Sequence, residues 1–533
     1  MPTVTAAVSM SSLWPEILLS VVGCAVLIVG QAARHSARQA VTWITLVTLA
    51  AAFVMVCVGV GMPAGGDAAT ITSGLAFTSL STFTRMMTLL LGLLITLVSW
   101  ACPRDEDRGE FFAMMLFSLA GVMLVASAAN LVILFLALEL VSIPTYVMIA
   151  LSRANPRAVE SATKYFFLGA LAAALTAFGF SYLYGVIGGA TLDADAVGRV
   201  VDALADPAAP AHAVAVVGLL LSFLGVLFKI AAVPLHFYIA DVYQGAASPV
   251  AGLLGFVPKA AGLLAIFRII SLVGWDTTGG TLFWILWIVA AVTMTVGNVL
   301  ALQQTNIKRL LAYSGIAHSG YMLVGILAGP LGDGIIGDGT AAVLYYVVIY
   351  GIANLCAFAI LGVLRRKGRP AETLRDVAGL LRYYPSLALL LALAMFTLMG
   401  LPPTPGFWGK LSLFGSALAT ANQVDLHGKW IIALVIIAVL NSAVAAAYYL
   451  RVIAAVLLYE TDEPAEPSER QAPLMGGLLC GFLLLAFMFY PNRLMTMGRG
   501  ATTALHEAPQ AVVAPAPPTV EAAAAVLAQP EPR

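Results

Sequence analysis

Apolar stretches of about 20 residues, separated by short polar or small-residue breaks, fill almost the whole chain. At a rise of 1.5 Å per residue, a helix of about 20 apolar residues crosses the roughly 30 Å hydrocarbon layer of a bilayer. On this measure the pattern predicts about fourteen transmembrane helices. They fall near 13–32, 41–62, 78–100, 111–128, 130–151, 160–187, 212–240, 249–273, 281–303, 308–328, 340–364, 385–420, 430–458 and 473–491. Little more than Ala128–Asn130 divides the fourth span from the fifth. The first run begins near Leu13 behind a leader without Lys or Arg, and is expected to stay as a helix rather than be cleaved as a signal peptide. Composition agrees: 61% hydrophobic and 10% charged residues over 533 positions leave more apolar surface than a soluble domain can hide. The expected fold class is an all-α membrane protein.

Charges in the loops orient the bundle. Loops after odd-numbered spans carry Arg34 and Arg38, Arg104 and Arg108, Arg153 and Arg157, Lys308 and Arg309. The longest of them holds Arg365, Arg366, Lys367, Arg369, Arg375 and Arg382, whereas even-numbered loops have little base beyond Arg199 and Lys429. The positive-inside rule then puts the odd loops in the cytoplasm and both termini on the periplasmic side of a bacterial inner membrane. Two odd loops fit less well: Asp241–Ser248 is nearly uncharged and Glu460–Arg470 is acidic.

Two spans are interrupted. The seventh contains Pro234, and the twelfth contains Gly400-Leu401-Pro402-Pro403-Thr404-Pro405-Gly406. Proline lacks the backbone donor and clashes with the preceding turn, so each helix is expected to break there. Broken backbone at membrane depth survives only when buried in protein or lining a polar cavity. The breaks are five spans apart, which suggests two inverted five-helix repeats, helices 4–8 and 9–13, with broken helices 7 and 12. The expected organisation is a three-helix N-terminal segment (1–105), a first repeat (106–275), a second, inverted repeat (276–460), helix 14 (461–500) and a disordered Ala/Pro-rich tail (501–533).

Chemistry enters through charges in the wrong solvent. Glu139, Lys229, Lys259 and Lys410 lie inside hydrophobic segments, as does His318. A charge at bilayer depth is costly, and residues kept there mark ion or proton pathways. Lys164 lies near the cytoplasmic end of its span, and His236 lies seven residues beyond Lys229, across Pro234; both are weaker candidates. Glu110, Arg85 and Arg268 lie near span ends, where solvated positions are expected. Ser142, Tyr146, Ser314 and Tyr321 offer hydroxyls to bridge helices or hold water. The five cysteines are isolated and form no CxxC or Cys/His cluster, so no metal or iron–sulfur site is expected in this chain. No phosphate-binding glycine loop appears in a strand–turn–helix setting, and zero formal net charge argues against a nucleic-acid partner.

Several of these segments resemble one known family. They are Glu139-Leu140-Val141-Ser142-Ile143-Pro144-Thr145-Tyr146, Ala162 to Ala170, Phe228 to His236, Asp241-Val242-Tyr243-Gln244-Gly245-Ala246, and Asn306 to His318. The chain resembles, over roughly residues 10–495, the antiporter-like proton-channel subunits of respiratory complex I, the proton-pumping NADH:quinone oxidoreductase. The resemblance implies a subunit that translocates protons while other subunits carry FMN, the iron–sulfur clusters and the quinone; this chain itself binds no cofactor. It implies that Glu139 and Lys229 form a pair whose carboxylate sets the lysine's proton affinity, that Lys259 is a central relay, and that Lys410 is the exit-side lysine. His318 would bridge Lys259 and Lys410, since imidazole can pass a proton through either nitrogen. Implied partners are the other membrane-arm subunits, including the other antiporter-like ones and the small subunits linking to the quinone site, together with the lipid bilayer. The alternative readings are a subunit of an Mrp-type cation/proton antiporter, which belongs to a related family, and a scaffold whose lysines are structural.

Overall fold

The computed structural model describes residues 10–31, 35–59, 70–72, 74–153, 155–274, 280–330, 337–422, 427–468 and 471–507. A short 3-10 turn, Met10–Leu13, leads into α1 (Trp14–Gly30) and α2 (His35–Cys57). A small hairpin of β1 (Thr70–Thr72) and β2 (Leu75–Phe77) precedes α3 (Ser79–Ser99), α4 (Arg108–Ser127), α5 (Leu131–Leu151), α6 (Pro156–Ile187), α7 (Ala194–Ala205) and α8 (Pro210–Lys229). Next come α9 (Ile239–Gly245), α10 (Ser248–Ser271), α11 (Thr281–Leu302), α12 (Ile307–Ala328) and α13 (Gly339–Val363). Strands β3 (Leu364–Arg366) and β4 (Arg369–Pro370) lead to α14 (Leu380–Tyr383), α15 (Pro385–Met399), α16 (Pro405–Ala421) and α17 (Gly428–Leu457). The chain closes with β5 (Glu466–Pro467), α18 (Gln471–Phe489) and α19 (Pro491–Glu507).

Among the described residues, twelve helices are long and apolar enough to cross a membrane, and the shorter α1 and α15 are also apolar. Counting α8 with α9, and α15 with α16, as single interrupted spans gives the expected fourteen. Polar caps set many of the starts. Asn130, Asn155, Asp193, Asn306 and Asp338 each accept a backbone N–H from the first turn of α5, α6, α7, α12 and α13. Asn130 also accounts for the narrow division between the fourth and fifth spans. The core helices are α10, α12 and α13, whose apolar windows are 100, 94 and 94% buried by their neighbours.

The helices do not break at the prolines themselves. Helix α8 ends at Lys229, ahead of Pro234, and irregular backbone carries the chain to α9. Helix α15 ends at Met399, where Gly400 takes φ +81° and donates its N–H to Phe396 and Thr397. A Cβ on Gly400 would lie 2.9 Å from Lys410 Cδ, and one on Gly406 would lie 1.8 Å from the Thr397 carbonyl oxygen. Both glycines let α16 close onto the end of α15. By contrast, Pro144 and Pro258 sit inside α5 and α10 without ending them.

Several sequence expectations need correction. Arg85 is not solvated: it is 2% exposed, and its Nε donates to Glu16 Oε1 at 2.7 Å while its Nη2 reaches Glu16 Oε2 and the Ser12 carbonyl. Arg268 is half-buried and donates to the Ala126 carbonyl at 2.5 Å, and Glu110 accepts from Gln31. The expected boundary at residue 500/501 falls inside α19. That helix buries Leu494, Met495 and Ala501 and is held by Thr502, whose hydroxyl donates to Asp338 Oδ2 at 2.8 Å. Residues 508–533 of the expected tail, and Arg34, lie outside the described residues.

The Glu16–Arg85 pair is a buried charge pair, so removing one member leaves the other unpaired at a cost of about 3–5 kcal/mol. Glu16→Leu is expected to lower the thermal midpoint of the full chain in detergent sharply. Glu16→Leu combined with Arg85→Met should recover much of that loss; a double variant no more stable than the single would contradict the pairing argument.

Candidate functional site

The ends of the interrupted helices build the site. An α-helix leaves its last four carbonyls without intrahelical donors, and they carry the negative end of the helix dipole. In water these oxygens would be solvated; here amines serve. Lys259 Nζ on α10 donates to the Ile230 carbonyl at the end of α8 (3.0 Å), to the Gly315 carbonyl (2.9 Å) and to Ser319 Oγ (2.7 Å) on α12. Lys410 Nζ on α16 donates to the Met399 carbonyl at the end of α15 (2.8 Å) and to Ser442 Oγ (2.9 Å), and stands 5.1 Å from the centre of the Tyr321 ring. No carboxylate pairs with either amine among the described residues.

Lys229 is different. Its Nζ meets Glu139 Oε1 at 2.9 Å and also the Ser142 hydroxyl, one helical turn further along α5. The lysine is 3% exposed, whereas the Glu139 side chain retains 18% exposure at the edge of the bundle. An aromatic wall flanks the pair: Tyr165 stacks on Tyr238 at 5.0 Å, Tyr238 stacks on Phe228 at 4.3 Å, and Tyr146 meets Tyr165 edge-on at 4.6 Å. Because Lys229 and Ile230 are consecutive, one break holds both the Lys229 amine and the carbonyl that receives Lys259.

His318, on α12, is 2% exposed. Its Nδ1 is 2.7 Å from Tyr346 OH on α13, and its Nε2 is 2.9 Å from Tyr449 OH on α17. Tyr449 also bonds the Ser314 hydroxyl, one turn before His318. A second polar knot supports this region: Asn298 donates to Tyr321 OH and Asn441 Oδ1, both at 3.1 Å, and accepts from Tyr448 OH at 3.0 Å.

The structure therefore places Glu139, Lys229, Lys259, His318 and Lys410 in buried or half-buried positions; Lys229 and Lys259 meet at the end of α8, while His318 and Lys410 each have a separate set of hydrogen-bond partners. It does not bring in the two weaker candidates. His236 is buried in the linker after α8, tilted against Phe237, and its Nδ1 has no hydrogen-bond partner among the described residues. Lys164 is 45% exposed and pairs with Glu160 at 2.7 Å and Asp241 at 3.2 Å. Tyr346, Tyr449, Ser319 and Ser442 went unrecognised in the sequence. The available signal was a hydroxyl inside an otherwise apolar span, which also describes many purely structural side chains.

Lys308 was expected among the solvated loop bases, yet it is 0% exposed. It donates to the Gln244 carbonyl at 3.1 Å and to the Ala246 carbonyl, thus closing the end of α9, and lies 3.5 Å from Glu372. Arg153 pairs with Glu372 at 2.9 Å, and Arg309 pairs with Asp241 at 2.7 Å. Lys367 pairs with Glu463 at 2.7 Å, and β5 adds to β3. These contacts gather the basic loops, the nearly uncharged loop and the acidic loop at one end of the bundle. Of the two loops that fit the charge pattern poorly, one supplies Asp241 to Arg309 and the other Glu463 to Lys367, while Glu372 comes from the longest basic loop itself.

Among the described residues no group of three or more His, Cys, Asp or Glu side chains could hold a metal ion. Residues 128–440 match the membrane family described as NADH:quinone oxidoreductase/Mrp antiporter. A NADH-quinone oxidoreductase subunit N of Trichlorobacter lovleyi is 36% identical over 84% of this chain and 87% of its own length. A chain of respiratory complex I from Thermus thermophilus, solved with bound aureothin, aligns with TM-score 0.72 at 30% identity, covering 90% of this chain and 98% of that one. A chain of the Mrp complex from Dietzia aligns with TM-score 0.76 at 20% identity over 94% and 98%, which shows a shared fold. The protein is thus a membrane protein of the class shared by these oxidoreductases and antiporters. Within that class, the chain belongs to the NADH-quinone oxidoreductase subunit N family.

The charge cluster gives a pH prediction. Burial alone would raise the Glu372 carboxyl, but the Lys308 ammonium and the Arg153 guanidinium outweigh it and hold the group below its ordinary value. A depressed carboxylate contributes stability that is present above its unfolded value, about pH 4.3, and is lost as pH falls through the folded one. Glu372→Gln is therefore expected to flatten the acid limb of thermal stability measured below about pH 4.3. An unchanged acid limb would show that the cluster does not couple to folding.

Proposed function

We propose that this chain is a proton-translocating membrane-arm subunit of an NADH:quinone oxidoreductase, and that its protons pass along Glu139, Lys229, Lys259, His318 and Lys410. One observation carries the reading. A single helix break holds the Lys229 amine, paired with Glu139, and the carbonyl that receives Lys259, so neighbouring relay amines share one interruption. Amines held by carbonyl and hydroxyl oxygens can take or release a proton without leaving a fixed counter-charge stranded beside them. The hydroxyls of Tyr346 and Tyr449 flank His318 and extend the row between Lys259 and Lys410.

Redox chemistry is assigned to partner subunits carrying FMN, iron–sulfur clusters and quinone. The relatives favour this over the Mrp-type alternative, since sequences 33–38% identical to this chain are named as subunits N. We place the charge-cluster end in the cytoplasm of a bacterial inner membrane, with both termini periplasmic, from the bias of Lys and Arg toward that end. The two interruptions, α8/α9 and α15/α16, are consistent with inverted five-helix repeats, the first break being closed by Lys259 from α10 and the second by Lys410 from its own second half, α16. Glu139, at the edge of the bundle, is the group best situated to sense charge movement in a neighbouring subunit.

The test is proton pumping by the assembled complex in sealed vesicles, read by a pH-sensitive dye while NADH oxidation is followed in parallel. Loss of a proton-transfer group slows a step by about 10²-fold, so Lys229→Ala and Lys410→Ala should abolish measurable pumping while the complex still assembles. An assembled complex pumping at the wild-type rate would mean that the lysines serve as structure alone. Sodium-dependent transport without NADH oxidation in the parent complex would favour the antiporter reading. Tyr449→Phe keeps the ring and removes the hydroxyl beside His318; a slower pump with a larger solvent deuterium effect is expected, and neither change would place Tyr449 outside the path.

A further inference from the structure

The two deep amines without a carboxylate partner are ligated unequally. An ammonium has three N–H donors to place. Lys259 places all three on oxygen: the Ile230 and Gly315 carbonyls and the Ser319 hydroxyl. Lys410 is also buried, yet among the described residues it has two oxygen partners, the Met399 carbonyl and Ser442 Oγ. One donor of a protonated Lys410 therefore has no oxygen to meet. An aromatic face is there instead: Nζ lies over the Tyr321 ring, 5.1 Å from its centre.

That ring is held by its hydroxyl end. Tyr321 is buried, and its hydroxyl accepts from Asn298 Nδ2 at 3.1 Å. Asn298 is fixed in turn by Asn441 and by the Tyr448 hydroxyl, both on α17. Phe414 of α16 meets the Tyr321 ring edge-on at 5.9 Å. The hydroxyl is thus committed to a structural knot, and the face is what Lys410 meets. The face of an aromatic ring carries partial negative charge and attracts a cation within about 6 Å, most strongly where water is excluded. A neutral amine feels little of this, so the ring acts when Lys410 carries the proton.

We propose that the Tyr321 ring is the third ligand of the Lys410 ammonium, and so a positioning residue for proton transfer through Lys410. The inference rests on the role proposed above for Lys410 and adds that an aromatic face holds its charge. Tyr321 also meets the His318 ring edge-on at 5.9 Å, so it adjoins both Lys410 and the imidazole. A ring face has no lone pair on which to receive the proton. It steadies the charge without offering the proton a second route.

Charge and shape can be separated in the assembled complex, in sealed vesicles, with Tyr321→Phe and ring-fluorinated phenylalanines at the same position. Fluorine withdraws electron density from the face while changing the size of the ring little, so assembly is expected throughout the series. Tyr321→Phe should keep most of the pumping rate. Trifluorination should lower it by about tenfold, and Tyr321→Leu, which has no face, at least as far. The same series at Tyr350, whose ring centre is 6.0 Å from Lys259 Nζ, should show no added slowing on fluorination, because that amine already has three oxygens. A flat or rising series at Tyr321 would overturn the proposal, as would an equal gradient at Tyr350. Lys410→Ala, measured alongside, tells the two readings apart. Lost pumping in Lys410→Ala with a flat Tyr321 series overturns the role of the ring alone, whereas wild-type pumping in Lys410→Ala overturns both.

Discussion

Carbonyl oxygens at an interrupted helix end cannot be left bare inside a membrane protein, and this structure satisfies them with lysine. Lys259 closes the end of α8, Lys308 the end of α9, and Lys410 the end of α15. Each lysine comes from a different helix than the one it closes, so the contact also fixes how those helices pack. The relation works in both directions. The breaks need a cation, and a buried ammonium needs several oxygens with partial negative charge. Without the interruptions Lys259 and Lys410 would each lose a carbonyl ligand and keep only their contacts on α12 and α17; without the amines those carbonyls would lose a donor.

Around that constraint the polar groups separate into two kinds. Deep in the bundle, Lys259, His318 and Lys410 are held by carbonyls, hydroxyls and aromatic rings. At one end, Lys164, Arg153, Lys308 and Arg309 are matched to Glu160, Asp241 and Glu372. The second kind consists of ion pairs that hold loops and the short α9 in place. Lys229 combines the two, since it lies at a helix end yet has Glu139 as its carboxylate partner. That combination distinguishes it from the other two deep amines.

Much of this was legible in the chain because a bilayer enforces simple rules. Span number followed from apolar length, and the candidate amines stood out because each is out of place in oil. What sequence reading located less well was decided by tertiary contact. The prolines signalled the interruptions, but the helices end at Lys229 and Met399, where amines and Gly400 can complete the backbone. Arg85 looked like a residue at a span end because its partner Glu16 is distant in sequence. Lys308 looked like a loop base because nothing local reveals that Ala246 and Gln244 fold over it. Helix α19 was missed at its end because its anchor, Asp338, belongs to α13.

The geometry at His318 limits how the proposed row could operate. An imidazole between two phenols that accepts H⁺ on one nitrogen and gives it up from the other is left as its opposite tautomer. Before the next passage, the labile hydrogens must return to their starting sites. Turning the ring over is hindered by Tyr350 and Tyr321, whose centres lie 4.9 and 5.9 Å away. Rotation of the Tyr346 and Tyr449 hydroxyls resets the phenols but cannot carry a hydrogen from one ring nitrogen to the other, so the imidazole regains its starting tautomer only by turning over. Conduction through this point would then be a hop followed by a reorientation, so that each charge clears before another is admitted.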